Sequence, residues 1–198
     1  MSEQYIITIS REFGSLGRPI ARRMSEILGI MYYDRDIVEK VSKQLQLPVP
    51  TISDVEERAP GSYFSMRFPL GNMTSDLQNK VFRAQQDIIT ELADRESCII
   101  VGRCADYVLR EKKNLMRVYI YTSYENKYDN CVNNLSMTPR EAKKMIRDVD
   151  QARIAYHMRY AGYMPDENKD IQIDSAFLGV EGTAWYLSQA AKHRFGVE

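Results

Sequence analysis

The stretch that decides the fold is TISREFGSLGRPIARR, which runs from Thr8 to Arg23. It begins at the end of an apolar, β-branched segment, passes through a turn with two glycines and continues with the apolar spacing of a helix. This order is typical of a phosphate-binding loop, in which backbone N–H groups at a helix N-terminus face an anion. The stretch therefore predicts a strand, a loop and a helix arranged around a nucleotide phosphate site.

The loop differs from the standard pattern G-x-x-x-x-G-K-S/T at positions that bind phosphate and metal. With Gly17 aligned on the second glycine, Glu12 takes the place of the first glycine. Arg18 replaces the lysine and keeps a charge that can fork onto phosphate oxygens, whereas Pro19 has no hydroxyl to bind Mg²⁺. The Glu12 carboxylate repels phosphate unless it is paired or binds metal. The loop alone thus predicts an anion site with altered metal binding, and a purely structural turn is an equal alternative.

Four further apolar segments predict strands, and each is followed by a segment with helical spacing. Together with the first strand, Tyr5–Ser10, they make five short strands that alternate with helices. This alternation indicates a doubly wound α/β fold with a five-stranded parallel sheet, and the loop makes it a P-loop NTPase type. The four further strands are Ile30–Asp34, Cys98–Val101, Met116–Thr122 and Ile171–Asp174.

The composition is that of an ordinary globular protein. The 198 residues are 44% hydrophobic and 27% charged, which predicts a single domain over residues 1–198. No apolar run approaches the ~20 residues that span a bilayer, and the segment MSEQYIITIS has the pattern of a strand rather than of a signal peptide. Lys plus Arg and Asp plus Glu both number 27, so the net charge is zero. We predict a cytoplasmic protein that binds neither nucleic acid nor membranes.

The cysteines and histidines form no metal or nucleophile motif. Cys98, Cys104 and Cys131 are odd in number and lack CxxC spacing, which predicts reduced, structural thiols. His157 and His193 lie far apart in segments with helical spacing, and no serine or acid motif accompanies them. We therefore predict a surface or helical role for both histidines and no catalytic triad.

Two segments stand out from the alternation of strands and helices. Residues 47–74 contain several prolines and glycines and are too long for an ordinary connection, which predicts a binding insertion. The apolar part of this insertion, Ser62–Phe68, either covers a substrate or packs against a second subunit of a homodimer. Residues 138–163 begin with a capping box from Thr138 to Glu141, which predicts the start of a long helix.

Charged residues follow the predicted strands at the edge where α/β folds bind ligands. Arg18, Asp34 and Arg103 follow the first three strands. Asp150 and Arg153 are three residues apart and so share one face of the predicted long helix. Phosphoryl transfer needs positive charge in a site that excludes water, and converging arginines supply that charge. For Asp150 and Arg153, an ordinary ion pair on a solvated helix is the alternative.

Four blocks of sequence, spread from the first predicted strand to the last, are ITISREFGSLGRPIARRMSEILGIMYYDRDIV (7–38), IIVGRCADYVL (99–109), RDVDQARIAYHMRYAGY (147–163) and IDSAFLGVEG (173–182). Together they resemble the cytidylate kinase-like family, a branch of the P-loop nucleoside monophosphate kinases. The resemblance covers nearly the whole chain. It implies a parallel sheet with a monophosphate-binding insertion at residues 47–74 and an arginine-bearing lid at residues 138–163.

The resemblance also implies an activity, which is transfer of the γ-phosphoryl group of ATP to CMP or dCMP with Mg²⁺. It implies three groups of site residues. The ATP-binding residues would be Ser10, Arg11, Gly14, Ser15, Gly17 and Arg18. The acceptor-binding residues would be Asp34, Arg35, Arg103, Asp106, Asp150 and Arg153. The residues that stabilise charge during transfer would be Arg18, Arg103, Arg147 and Arg153.

Several positions depart from the family pattern and define the alternatives. Leu16 replaces a usual glycine, and Cys104 stands where true cytidylate kinases have an aspartate, so that Asp106 is the nearest acid. The cysteine favours a kinase for a different small-molecule acceptor as the first alternative. Glu12 and Pro19 favour a second alternative, a nucleotide-binding sensor or regulatory protein without turnover.

Overall fold

The computed structural model of the protein describes residues 4–49, 51–52 and 73–197. Residues 50 and 53–72 make up most of the predicted insertion at residues 47–74, so this prediction lies outside the described residues. The same holds for the apolar segment Ser62–Phe68, which carried the homodimer alternative.

Five parallel strands form one sheet in the order β2-β3-β1-β4-β5, which confirms the predicted fold class. In the centre of the sheet, Ile6 of the first strand is in register with Cys98 on one side and Leu115 on the other. The strands are β1 (Ile6–Arg11), β2 (Met31–Tyr33), β3 (Cys98–Val101), β4 (Leu115–Tyr121) and β5 (Ile171–Asp174).

Helices flank this sheet, and their ends follow local sequence signals. The predicted capping box is present, because the Thr138 hydroxyl accepts from the Glu141 amide and the Glu141 carboxylate accepts from the Thr138 amide. The helices are α1 (Gly17–Leu28), α2 (Arg35–Leu45), α3 (Met73–Arg95), α4 (Ala105–Val108), α5 (Tyr124–Asp129), α6 (Pro139–Ala161) and α7 (Ser175–Phe195). A π-helical turn, Asn130–Asn134, continues α5.

Both faces of the sheet are covered by apolar side chains. Ile6 of β1 packs into one buried cluster with α2 and α3, whereas Ile7 and Ile9 pack into a second cluster with α1 and α7. All four residues of β3 are buried, which explains its continuous apolar run. In the described part of the chain, no helix combines the length and the apolar character needed to cross a membrane.

The sheet order positions the candidate site. Because β1 and β3 are neighbours and parallel, the loop after β1 and the turn after β3 lie at the same edge of the sheet. The Gly102 amide donates to the Ile9 carbonyl oxygen at 3.0 Å and joins the two segments directly. Residues that are distant in sequence therefore meet at the carboxyl ends of these strands.

Candidate phosphate-binding site

The loop between β1 and α1 is a compact turn with available backbone donors. Gly14 and Leu16 have positive φ angles of 78° and 58°, and the Ser15 hydroxyl donates to the Glu12 carbonyl oxygen at 2.9 Å. Among the described residues, none accepts a hydrogen bond from the backbone N–H of Gly14, Ser15 or Leu16. These donors precede the N-terminus of α1, so the loop has the features of an anion site.

Glu12 is paired, which answers the concern that its carboxylate would repel phosphate. Lys127 Nζ lies 2.9 Å from Glu12 Oε2 and 3.1 Å from Asp150 Oδ2. Asp150 Oδ1 accepts from the Phe13 amide at 2.6 Å, so one lysine joins the loop to α6 through two carboxylates. Burial opposes the charge of Lys127, but its hydrogen bonds to Glu12 and Asp150 outweigh this effect and raise its pKa. Sequence reasoning missed Lys127, although it lies shortly after β4, at the edge where the other site residues follow their strands.

We predict that Lys127→Met destabilises the protein by about 2 kcal/mol, because it leaves two neighbouring, poorly solvated carboxylates without their cation. Urea unfolding measures this change. Lys144→Met is the matched control, since Lys144 forms an i,i+4 ion pair with Asp148 on a side chain that is 67% exposed. Its expected change is below about 0.5 kcal/mol. Equal effects of the two substitutions would contradict the bridging role.

Three arginines surround one buried carboxylate, that of Asp34 at the end of β2. Arg103 Nη1 lies 2.9 Å from Asp34 Oδ1, and Arg11 Nη2 lies 3.8 Å from the same oxygen. Arg18 Nε forms an ion pair with Asp34 Oδ2. Burial favours the neutral acid, but Arg11, Arg103 and Arg18 outweigh it and hold the pKa of Asp34 at about 2. Asp34 therefore remains a carboxylate at neutral pH.

Arg153 extends this group from α6. Its Nη1 donates to the Arg11 carbonyl oxygen at 3.1 Å, and it lies 3.9 Å from Asp150 Oδ1. Burial and the charge of Arg153 lower the pKa of the Arg11 guanidinium well below its usual value, although Asp34 opposes this. The four guanidiniums line a cavity of about 70 Å³ above the ends of β1 and β3, with Ser10 and Gly102 among its other walls.

Five cations converge around this cavity and the loop beside it. The cations are Arg11, Arg18, Arg103, Arg153 and Lys127, and carboxylates that pair with them include those of Glu12, Asp34 and Asp150. This concentration of cations, in a partly buried site beside the backbone N–H groups of the loop, favours binding of a polyanion. We call this group of side chains the arginine cluster.

Two glycines leave the space that Arg11 occupies. A Cβ atom on Gly17 would lie 2.9 Å from Arg11 Cβ, and one on Gly102 would overlap the Arg11 guanidinium. Gly102 also has a φ of 78°, which disfavours other residues. The Arg11 side chain thus runs between the phosphate loop and the turn after β3. The requirement for Gly102 is therefore a consequence of Arg11.

We expect Gly102→Ala to displace the Arg11 guanidinium and to weaken ATP binding about tenfold or more, which corresponds to ~1.4 kcal/mol. Isothermal titration calorimetry measures this affinity. Gly29→Ala is the matched control, because Gly29 also has a positive φ, 64°, but no atom lies within 4 Å of the added Cβ. Both substitutions carry backbone strain, and only the first collides with a side chain. Equal ATP affinities of the two variants would show that Arg11 is not part of the ATP site.

The structure separates three predicted residues from the arginine cluster. The Arg147 side chain is 64% exposed, and its Nε lies 3.0 Å from Asp148 Oδ1. Arg35 is exposed at the start of α2, where it lines a wider outer cleft with Arg18 and Asp34. The Asp106 carboxylate is buried and pairs with Lys169 and His157. Contacts of these three residues with a bound substrate remain predictions.

His157 departs from the expected surface position. It lies in helix α6, as the helical spacing predicts, but it is buried and lines the cavity together with Arg103 and Arg153. Cys98, Cys104 and Cys131 are free and buried, which confirms reduced, structural thiols. Among the described residues, no group of three or more His, Cys, Asp or Glu side chains is placed to hold a metal ion.

A five-stranded parallel sheet of this order, with a glycine loop between β1 and α1, defines the P-loop kinase fold. The chain belongs to the cytidylate kinase-like family, whose model matches residues 6–176. This match confirms the resemblance to the family, and it includes the first three sequence blocks and the beginning of the fourth. No curated protein is significantly similar to the chain in sequence.

Solved structures share the fold at low sequence identity. An uncharacterized protein from Eubacterium ventriosum ATCC 27560 is 22% identical with a TM-score of 0.68, over 96% of this chain and 98% of that one. A shikimate kinase from Bacteroides thetaiotaomicron is 10% identical with a TM-score of 0.56, over 98% and 100% of the two chains. A gluconokinase from Sinorhizobium meliloti 1021 is 14% identical with a TM-score of 0.56, over 98% of both chains.

Proposed function

We propose that the protein is an ATP-dependent phosphotransferase that moves the γ-phosphoryl group of ATP to CMP, dCMP or a related acceptor. The observation that carries this proposal is the arginine cluster, in which the guanidiniums of Arg11, Arg18, Arg103 and Arg153 line one cavity above the carboxyl ends of β1 and β3. Family membership supports the reaction class. Such converging cations would bind a polyanion that spans donor and acceptor phosphates.

In the proposed mechanism, one set of residues binds the ATP phosphates and another stabilises charge on the phosphoryl group during transfer. The backbone N–H groups of residues 14–16 and the side chains of Ser10 and Arg11 would hold the ATP phosphates. Arg18, at the N-terminus of α1, and Arg153, on α6, would stabilise charge that spreads over the equatorial oxygens. Positioning and charge are the main requirements of phosphoryl transfer, so these residues need no covalent step of their own.

The acceptor would bind at the end of β2 and β3. Arg103 contacts Asp34 there and also donates to the Val101 carbonyl oxygen at 3.0 Å, which holds its guanidinium at the cavity wall. Because the arginines hold the pKa of Asp34 at about 2, its carboxylate is a weak base, so its role would be to orient them and the acceptor rather than to remove a proton. The contacts of Asp150 with Phe13 and Lys127 support a role in placing the loop.

We propose ATP and Mg²⁺ as the cofactors, and the residues of the site fit ATP better than they fit Mg²⁺. The cluster and the loop amides suit a triphosphate. For Mg²⁺, Pro19 lacks the hydroxyl of the usual pattern, and the carboxylates of Glu12 and Asp34 are paired with cations. Mg²⁺ in kinase sites keeps several waters and binds through substrate phosphates, so a bound metal would rely here on the nucleotide more than on these carboxylates.

We further propose that residues 1–198 act as one domain in which residues 138–163 are the lid. Helix α6 carries Asp150 and Arg153, which already contact the loop. Arg147 lies on the exposed part of the same helix, so its proposed role in transfer requires a movement of α6. ADP formation at saturating ATP, compared between the wild type and Arg147→Ala, tests this role. An unchanged rate would remove Arg147 from the site.

The decisive experiment incubates the protein with ATP and Mg²⁺ and measures ADP formation with CMP, dCMP, UMP, AMP, GMP and TMP in turn. Turnover with the cytidine pair alone supports the proposed acceptor. Turnover with another nucleotide keeps the reaction and changes the acceptor. ATP binding without turnover on any acceptor would favour a nucleotide sensor, and absence of ATP binding would refute the proposed function.

One observation favours a second acceptor class. Cys104 is buried, and the nearest acid, Asp106, is engaged by Lys169 and His157, so neither presents a free carboxylate to a cytosine amino group. A small hydroxylated acceptor would not need such a carboxylate. The acceptor panel should therefore include sugar acids and hydroxylated ring acids. ADP formation with one of these, but with no nucleotide, would establish this alternative.

A further inference from the structure

A buried charged cluster lies beside the cavity. Lys169 Nζ is 2.7 Å from Asp106 Oδ2, and both side chains are at most 1% exposed. His157 Nε2 lies 3.2 Å from Asp106 Oδ2 and 3.3 Å from Oδ1. The Tyr163 ring packs edge-on against His157, with ring centroids 4.9 Å apart. We call these four residues the Asp106 cluster.

Both ring nitrogens of His157 face oxygen atoms. Nδ1 lies 2.8 Å from the Tyr163 carbonyl oxygen, while Nε2 faces the Asp106 carboxylate. Both partners only accept hydrogen bonds, so both contacts are hydrogen bonds when each ring nitrogen carries a hydrogen. A neutral imidazole has one N–H and would place a lone pair against one of the two oxygens. The doubly donating ring is therefore the form that satisfies both oxygens.

The Asp106 cluster connects two segments that carry arginines of the cavity with a third segment, which precedes β5. Asp106 lies in α4, three residues after Arg103, and His157 lies on α6 one turn after Arg153. Lys169 lies in the segment before β5, where its Nζ also donates to the Glu167 carbonyl oxygen at 2.9 Å. His157 thus provides a contact between α6 and α4. This contact lies one turn from Arg153 and three residues from Arg103.

We propose that His157 is a proton-dependent positioning residue, whose imidazolium holds α6 against α4 and thereby places Arg153 opposite Arg103 around a bound anion. Loss of the proton removes one of its two hydrogen bonds and loosens this arrangement. Both ring nitrogens are committed to protein oxygens, so His157 acts through the arginines rather than on the anion. The proposal rests on the proposed function only in identifying the anion as phosphate.

Three titratable groups near His157 have pKa values that are shifted away from neutrality. Burial would raise the pKa of Asp106, but His157 and Lys169 hold it at about 2. Burial raises the pKa of Tyr163 to about 12 and that of the Cys104 thiol well above its usual value. Lys169 supplies a positive charge to the cluster, and the guanidiniums of Arg11, Arg18, Arg103 and Arg153 face the shared cavity.

The chain provides its own control. It contains two histidines, and the second, His193, is exposed near the end of α7. Imidazoles are the side chains that ordinarily change charge between pH ~5 and ~8. A pH effect in this range that persists in His193→Gln and disappears in His157→Gln therefore originates at His157.

The test measures the dissociation constant of sulfate by calorimetry from about pH 5.5 to about pH 8.5, the range in which imidazoles titrate. Sulfate keeps the same charge over this range, unlike phosphate. For the wild type and His193→Gln, we expect sulfate binding to weaken roughly fivefold or more as the pH rises. For His157→Gln, we expect weak binding with no such pH dependence. NMR signals of the ring nitrogens follow the proton on His157 in the same samples.

Reciprocity supplies a second readout that a merely structural residue would not show. If the protonated form binds sulfate better, saturating sulfate must favour the protonated form and shift the loss of the His157 proton to higher pH. The ratio of the dissociation constants at the two ends of the pH range should also persist in about 0.5 M NaCl, because salt screens a through-space charge effect but not a change of position.

Specific outcomes overturn the proposal. One is a pH dependence of sulfate binding that is unchanged in His157→Gln. Another is a His157 ring that keeps a single N–H over the whole pH range. The third is a His157 titration that sulfate does not shift. If His157→Gln does not fold, the NMR titration of wild-type His157 with and without sulfate tests the proposal, since a titration that sulfate does not shift would contradict it. Sulfate results as expected without phosphoryl transfer would refute the proposed function alone, and normal transfer with a sulfate-insensitive His157 would refute this inference alone.

Discussion

Asp34→Ala is expected to lower the free energy of unfolding by about 3–5 kcal/mol in buffer without multivalent anions, because removing one partner of a buried ion pair leaves the other uncompensated. Asp34 is the carboxylate that contacts Arg11, Arg18 and Arg103, and its side chain is 4% exposed. Without it, these guanidiniums repel one another in a site that water solvates poorly. Urea unfolding measures the loss.

The control for this prediction is Asp36→Ala, which removes an exposed acid from the first turn of α2, the helix that follows Asp34. Its expected cost is below about 1 kcal/mol. Sulfate should restore part of the stability of Asp34→Ala, since an anion then takes the place of the carboxylate. If the two variants lose the same stability, or if sulfate has no effect on Asp34→Ala, the cluster does not bind anions in the way proposed.

The low pKa of Asp34 gives this contribution a defined pH window. Its pKa is about 2 in the folded protein, against an ordinary value of 3.8, so the carboxylate binds protons less readily when folded. The contribution is therefore fully present above the unfolded value, and it is lost as the pH falls towards 2. The difference in stability between the wild type and Asp34→Ala should narrow over the same range.

Arg18→Ala is expected to lower kcat/KM for phosphoryl transfer by about 100-fold or more, a bound set below the roughly 10³- to 10⁵-fold effects of arginines that stabilise this transition state. Arg18 lies at the N-terminus of α1 and borders both the inner cavity and the outer cleft. Its side chain is 42% exposed, so its removal should change stability by less than about 1 kcal/mol. Steady-state ADP formation with the best acceptor of the panel measures the effect.

Arg22→Ala provides the comparison on the same helix. Arg22 lies about one turn further along α1, is 78% exposed and pairs with Glu26. Both variants remove one positive charge near the site and both arginines border the outer cleft, but only Arg18 also borders the inner cavity. A variant without Arg18 that retains wild-type kinetics, or an equal loss in both variants, would remove Arg18 from the catalytic residues.

Much of the fold could be predicted from local patterns. The strand at Ile6–Arg11, the glycine turn and helix α1 follow from β-branched residues, two glycines and the helical spacing of apolar residues. The start of α6 follows from the Thr138 and Glu141 capping box. These signals act between residues that are close in sequence, so they can be recognised without knowledge of the tertiary structure.

The convergence of charged side chains could be predicted in part. Arg18, Asp34 and Arg103 converge because strand ends in a parallel sheet meet at one edge, and Arg153 joins them from α6. Their roles in binding and transfer stay predictions. For Arg147, an exposed helix position gives no local sign of whether the helix moves. Asp106 was expected at the acceptor because its position after β3 can be recognised from the sequence. Its partner Lys169 lies 63 residues later, and the sequence gives no sign of their contact.

The sequence by itself determined that this chain forms a parallel α/β domain with a phosphate loop that lacks the usual lysine and hydroxyl. The tertiary structure decided how that loop is completed. It placed Lys127 against Glu12, Arg11 between Gly17 and Gly102, and Asp150 on the Phe13 amide across 137 residues. The reason is physical: charge and shape complementarity act over a few ångströms in space, and only the sheet order β2-β3-β1-β4-β5 brings these segments within that distance.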